Sequence, residues 1–232
     1  MRVWVALFVL LPLLSGCAER PPEVVAVEDI VAEAPELAQV VFENDFVRAV
    51  RFQLEPGDEL PLHVGRPRVV YSLSDYRILF TEGEESVEKE WQAGEAHWHE
   101  AVDHAVENIG ETEALFLVVT RTPVQLPGAA PYESDQDAAA ADPSHAQVVF
   151  ENDYVRVTKV TLAPGAEQPL HHGLNRLVYS LTSYQISYTS DQVEDVERAF
   201  NQGDAHWHGA DEHAVTNIGD TEARFVVFQF KG

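Results

Sequence analysis

Two histidines flank a single tryptophan in His97-Trp98-His99, and the same triplet returns later in the chain as His206-Trp207-His208. Residues two apart on a strand point to one face, so each pair can offer two imidazoles on one side while Trp98 or Trp207 faces the other. His63 and His104 recur with them as His171 and His213. Neutral imidazole suits a divalent transition metal, and Zn, Fe, Mn, Ni and Cu are not distinguished by these residues alone. Arg68 and Arg176 also recur. A guanidinium there would oppose a bound cation unless an anion lay between them; it could equally clamp a substrate carboxylate with its planar fork, or pair with one of the chain's own acids. His172 points away from His171 if that segment is extended, and His145 falls between the two copies, so neither receives a role.

These residues belong to an internal duplication. The run QVVFENDFVR from Gln39 to Arg48 returns as QVVFENDYVR from Gln147 to Arg156, and HAVENIG from His104 to Gly110 returns as HAVTNIG from His213 to Gly219. A period of this length marks whole-domain duplication, because solenoid repeats are shorter. Each copy reads as short strands parted by turn residues. In the first, strands are expected over Val47 to Leu54, Arg68 to Leu73, Tyr76 to Thr81 and Ala114 to Thr120, with no sustained helical period, which points to an antiparallel barrel or sandwich. Asn108 and Asn217 sit in Asn-x-Gly turns, where an Asx side chain bonds the backbone. Tyr71 and Tyr179 read as packing residues.

The chain has 232 residues, with 15 Lys+Arg against 39 Asp+Glu and a formal charge of −24. Such a surface repels a phosphate backbone, which excludes a basic nucleic-acid binder. A hydrophobic content of 45% with 23% charged residues is too apolar for a disordered acidic tail. The N-terminus carries Arg2, then an apolar run from Val3 to Leu14 too short to span a bilayer comfortably, so it reads as an export signal. Leu14-Ser15-Gly16-Cys17 resembles the bacterial lipobox, which implies cleavage before Cys17 and lipid attachment to this sole cysteine. The expected home is the bacterial envelope, at the outer membrane facing the periplasm if the cell is Gram-negative, with membrane contact only through the lipid.

Each copy is similar to a small cupin, a double-stranded β-helix or jelly roll, and the whole resembles a bicupin. The residues that carry the resemblance are Gly57-x5-His63, Gly94 and His104-x3-Asn108, then Gly165-x5-His171, Gly203 and His213-x3-Asn217. The openings ENDFVR and ENDYVR and the closing Asn-Ile-Gly-x-Thr-Glu-Ala resemble cupins of the β-alanine-degradation type. The usual cupin metal site takes an H-x-H pair, a Glu and a later His. His63 and His104, or His171 and His213, match its first and last places; the second His is replaced by Gly65 or Gly173, and the Glu falls at Arg68 or Val69 and at Arg176 or Leu177. The pairs His97/His99 and His206/His208 stand just upstream of the last ligand, so four imidazoles per copy could converge.

The expected organisation is a signal peptide over 1–16, a tether over 17–37 with a short helix around Val27 to Leu37, a cupin domain over 38–121, a linker over 122–145 and a second cupin domain over 146–232. The expected architecture is all-β, two tandem barrels, as a monomer or a dimer. The expected function is binding or transformation of a small, possibly carboxylated molecule at a His-rich metal site, with no reaction assigned. A non-catalytic sensor or binding cupin, or a structural lipoprotein with degenerate pockets, is the alternative.

Overall fold

The computed structural model describes residues 26, 28–128, 135–191, 193 and 195–231. The export signal and Cys17 lie outside them. Among the described residues no helix is long and apolar enough to cross a membrane.

The first copy contributes β1 (Ala38–Glu43), β2 (Val47–Leu54), β3 (Glu59–His63), β4 (Arg68–Ser72), β5 (Tyr76–Glu82), β6 (Glu85–Trp91), β7 (Ala96–His99), β8 (His104–Asn108) and β9 (Ala114–Arg121). They pair antiparallel in two sheets, ordered β1-β2-β9-β4-β7 and β3-β8-β5-β6. The second copy supplies β10 (Ala146–Glu151), β11 (Val155–Leu162), β12 (Glu167–Gly173), β13 (Arg176–Ser180), β14 (Tyr184–Ser190), β15 (Val196–Phe200), β16 (Ala205–His208), β17 (Asp211–Asn217) and β18 (Ala223–Phe230). Its sheets, β10-β11-β18-β13-β16 and β12-β17-β14-β15, repeat the same order. The strands expected from β-branched and aromatic runs are those of β2, β4, β5 and β9. Asn108 closes its turn as expected, accepting from the Gly110 amide at 3.0 Å and donating to the Leu54 and Thr112 carbonyls.

Strand register sorts the interior of each barrel into layers. Across the five-stranded sheet of the first copy, Arg48 lies opposite Thr120, Thr120 opposite Arg68, and Arg68 opposite His99. The next inward row is Val50, Val118, Val70 and His97, and the row below holds Phe52, Phe116 and Ser72. With a side-chain period of two, one register therefore sets a polar mouth above an apolar floor. The equivalent rows of the second copy begin with Arg156, Gln229, Arg176 and His208, then Thr158, Val227, Val178 and His206.

The alternate residues of the same strands face the other copy. Val47, Ala49, Val69, Tyr71, Leu117 and Val119 form one buried cluster with Val155, Val157, Leu177, Tyr179, Val226 and Phe228. Tyr71 and Tyr179 are packing residues in this layer. The two tryptophans turn out of their own barrels and stack on the opposite copy: Trp98 on Tyr154 at 5.3 Å and Trp207 on Phe46 at 5.7 Å. Phe46 and Tyr154 are equivalent residues, so the contact obeys a pseudo-twofold axis.

A short helix precedes each barrel, α1 (Ile30–Glu33) with Asp29 as N-cap and α2 (Ala138–Ala141) with Asp137 as N-cap. The helix expected around Val27 to Leu37 is thus confined to one turn. The caps are satisfied by Val31 and Ala140 amides. Asp29 reaches Arg48 at 3.2 Å, and Asp137 reaches Arg156 at 2.5 Å. The equivalence of the copies therefore extends upstream of Gln39 and Gln147, into segments read from sequence as tether and linker.

Candidate functional site

His63, His97, His99, His104 and Arg68 come together around one cavity in the first barrel, and His171, His206, His208, His213 and Arg176 around another in the second. The four histidines expected in each copy line one cavity. His63 and His104 face each other across β3 and β8, with ring centres 4.2 Å apart; His171 and His213 do so at 4.1 Å. Within the H-W-H pairs the rings sit 5.0 Å apart, edge to face, in both copies. Trp91 stacks on His97 at 3.6 Å, and Phe200 stacks on His206 at 4.2 Å. Outside these sites, His172 lies 2.9 Å from Glu212 on the surface, and His145 reaches Asp142 at the end of α2.

The imidazoles are neutral. Burial, His99 and Arg68 hold His97 down at about 3; burial and Arg68 hold His99 at about 4 and His104 at about 3. In the second barrel burial and Arg176 place His206 at about 4 and His208 at about 3, and burial puts His213 at about 3 despite its bond to Asp211. His63 and His171 are lowered as well, by burial. The tautomers follow from the partners. Nδ1 of His63 meets the Pro61 carbonyl at 2.8 Å and Nδ1 of His104 meets the Val102 carbonyl at 3.0 Å, so both nitrogens carry the proton and Nε2 keeps its lone pair.

At His104 that lone pair is taken. Nη2 of Arg68 donates to Nε2 at 2.9 Å, while Nη1 donates to the carbonyls of Arg66 and Glu100. Gly65, and Gly173 in the second barrel, make room for this arrangement. A Cβ on Gly65 would stand 2.1 Å from the Val102 carbonyl oxygen and 2.8 Å from Nη1 of Arg68; one on Gly173 would stand 2.4 Å from Nη1 of Arg176.

This donor set does not fit a divalent cation. A buried guanidinium sits on the nitrogen that would ligate, and among the described residues no three His, Cys, Asp or Glu groups stand together so as to hold a metal. The frame carries a fixed positive charge instead. Desolvation lowers Arg68 to about 10, which leaves it protonated at neutral pH.

The two copies then diverge. In the second, Asp211 Oδ1 lies 2.9 Å from Nη1 of Arg176 and 3.0 Å from Nδ1 of His213, and its other oxygen accepts from the Tyr188 hydroxyl. These neighbours hold the carboxyl of Asp211 well below the usual carboxylate range against the opposing effect of burial. In the first barrel the equivalents are Val102 and Phe80, and no carboxylate of the described residues is ion-paired with Arg68, which is 6% exposed. The cavities differ accordingly: about 330 Å³ in the first barrel and about 40 Å³ in the second, where Thr158, Gln168 and Gln229 stand for Val50, Leu60 and Thr120. The sequence reading passed over Val102/Asp211 and Phe80/Tyr188; the signal was that these positions differ while the histidines around them do not.

No family model matches the chain, and no curated protein does. Solved structures do. Oxalate decarboxylase from Bacillus subtilis, determined at pH 4.6, is 17% identical and matches with a TM-score of 0.59, covering 87% of this chain and 70% of that one. A further structure of that protein, described by its Mn(II) centres, is 16% identical with a TM-score of 0.59, over 87% of this chain and 71% of that one. AerE from Microcystis aeruginosa is 13% identical with a TM-score of 0.56, over 84% of this chain and 98% of that one. At these identities the likeness is one of fold, and it spans both barrels in a single alignment. What the chain shares with these structures is the fold, two tandem antiparallel β barrels in one polypeptide.

Proposed function

We propose that the first barrel is a pocket for a small carboxylate-bearing molecule, with Arg68 as its counter-charge and the neutral histidines as hydrogen-bonding partners. The observation that carries this is the difference between the copies: one Arg–His frame holds a carboxylate of its own, Asp211, while in the other the acids lining the cavity, Glu28, Asp29 and Glu43, are not ion-paired with Arg68, and Asp29 and Glu43 engage Arg48 instead. Burial of a charge is costly unless it is paired, so the first frame favours an incoming anion. Nδ1 of His97 is buried without a hydrogen-bond partner, as is Nδ1 of His206 in the second barrel. The activity assigned is binding, with the histidines orienting the ligand.

We propose also, from the N-terminal sequence alone, that the protein is held in the bacterial envelope by a lipid on Cys17. Metabolic labelling with a fatty-acid analogue tests this: a labelled wild type and an unlabelled, soluble Cys17→Ser support it, and an unlabelled wild type overturns it.

Binding is tested with the full-length protein in detergent. A rise of the thermal midpoint with acetate, benzoate or oxalate, lost in Arg68→Met, supports the pocket, because a ligand of the folded state stabilises by mass action. A second reading, a divalent metal on the histidines, is favoured by the Mn(II) centres of the oxalate decarboxylase neighbour. It requires Arg68 to leave His104. Stoichiometric metal in protein purified without a His tag would establish it and overturn the carboxylate assignment.

A further inference from the structure

We infer that the ligand of the first barrel is a monocarboxylate with a compact apolar body, such as an aromatic or branched-chain acid, seated with its carboxylate at Arg68 and its hydrocarbon on the barrel floor. This rests on the reading of the barrel as a carboxylate pocket and adds which carboxylates it takes.

The charge inside the barrel matches one negative group. Arg68 is the cation buried among the histidines. Of the other charged residues lining the cavity, Arg48 at the mouth is engaged by Asp29 at 3.2 Å and Glu43 at 3.6 Å, Arg66 and Glu28 are exposed, and Arg121 reaches the Lys231 carbonyl. Burial and the guanidinium itself keep the surrounding imidazoles from adding charge. A dianion such as oxalate would bring a second carboxylate into the barrel, where Arg68 is the buried cation and Arg66 stands exposed in solvent, and an unpaired charge is costly in a desolvated site.

The floor accepts hydrocarbon. Below the Arg68 layer the cavity is walled by Val50, Phe52, Leu60, Ile78 and Phe116. Near that floor the Ser72 hydroxyl donates to the Tyr76 hydroxyl oxygen at 3.2 Å. A cavity of about 330 Å³, at ~30 Å³ per water-sized group, holds a body of roughly ten non-hydrogen atoms.

The second barrel supplies the internal comparison. Its Arg–His frame is met by one carboxylate, on Asp211, and by one phenol, on Tyr188. The floor there has turned polar at Thr158 and Gln168 and the cavity has shrunk to about 40 Å³. One carboxylate satisfies the frame where it is filled from within, and the copy that lacks it has kept the apolar floor and the space.

The test is calorimetric titration of the full-length protein in detergent with benzoate, hexanoate, acetate, oxalate and succinate at pH 7.5. Benzoate and hexanoate are expected to bind at least about tenfold more tightly than acetate, through apolar area removed from water. Oxalate and succinate are expected to bind more weakly than either, with one site per chain. Arg68→Met abolishes the heat. Because that change could act through folding, the double substitution Phe80→Tyr with Val102→Asp, which installs the second barrel's own counter-charge, is the companion: it must keep the far-ultraviolet spectrum and thermal midpoint and still lose benzoate. Oxalate or acetate binding as tightly as benzoate overturns the inference and leaves the carboxylate pocket standing. Absence of heat with all five acids overturns both.

Discussion

Nη2 of Arg68 stands 2.9 Å from Nε2 of His104, whereas Nη2 of Arg176 lies 3.3 Å from both ring nitrogens of His213. In the first barrel the guanidinium leans on the imidazole for want of an anion; in the second it is drawn toward Asp211.

Substituting the two arginines should therefore have unequal effects on stability. Arg68→Met removes a buried charge without a carboxylate partner and is expected to be neutral or stabilising, by up to about 2 kcal/mol. Arg176→Met strands the buried Asp211 carboxylate and should cost about 3–5 kcal/mol. Urea unfolding followed by tryptophan fluorescence measures both, and equal losses would contradict the assignment of Asp211 as the internal counter-ion.

Acid should destabilise the protein from the histidine range downward. His97, His99, His104, His206, His208 and His213 are held at about 3 to 4 in the folded state against an ordinary 6.5. Between those values the unfolded chain binds more protons, so stability is complete above 6.5 and is lost as pH falls toward 4. Each proton taken up adds at most about 1.4 kcal/mol per pH unit to the slope. Asp211, held below the carboxylate range, adds a further loss only below its ordinary 3.8. Urea midpoints at pH 8, 7, 6 and 5 should be level for the first pair and fall through the second; a level series to pH 5 would rule out neutral buried imidazoles.

Gly65 marks the room made for the guanidinium. Gly65→Ala forces a Cβ against the Val102 carbonyl and should cost about 1–3 kcal/mol as an overpacked site. Gly209→Ala, with nothing within 4 Å of its Cβ, should fall within about 0.5 kcal/mol of wild type. Differential scanning calorimetry separates the two.

The helices that close the barrel mouths should differ in how firmly they are held. The Arg48 and Asp29 side chains are 32% and 47% exposed, while those of Arg156 and Asp137 are 11% and 2% exposed. Asp29→Ala should cost about 1 kcal/mol, chiefly through the lost N-cap. Asp137→Ala should cost about 3–5 kcal/mol, because it leaves a buried guanidinium short of its counter-charge. Amide exchange should accordingly be faster in α1 than in α2.

The duplication, the antiparallel strands and the gathering of four histidines per copy were legible because they depend on period and on residue type. His97 and His99 face one way since they are two apart on β7, whatever surrounds them. What Arg68 does was not legible, because it is decided by Val102 on a neighbouring segment and by the space at Gly65, neither of which carries chemistry of its own. The helices were hard to read for a similar reason: four residues leave too short a period to register, and α2 is built of alanines, whose burial shows only once the barrel is there.

The stacking of Trp98 on Tyr154 and of Trp207 on Phe46 is the geometry of two identical subunits meeting across a twofold axis. In such an assembly symmetry makes both pockets the same, and any residue that seals one seals the other. Joining the copies in one polypeptide lifts that constraint. Asp211 and Tyr188 could arise in one barrel while Val102 and Phe80 stayed in the other, so that one half of the molecule took on the work of a rigid partner and the other kept an open interior.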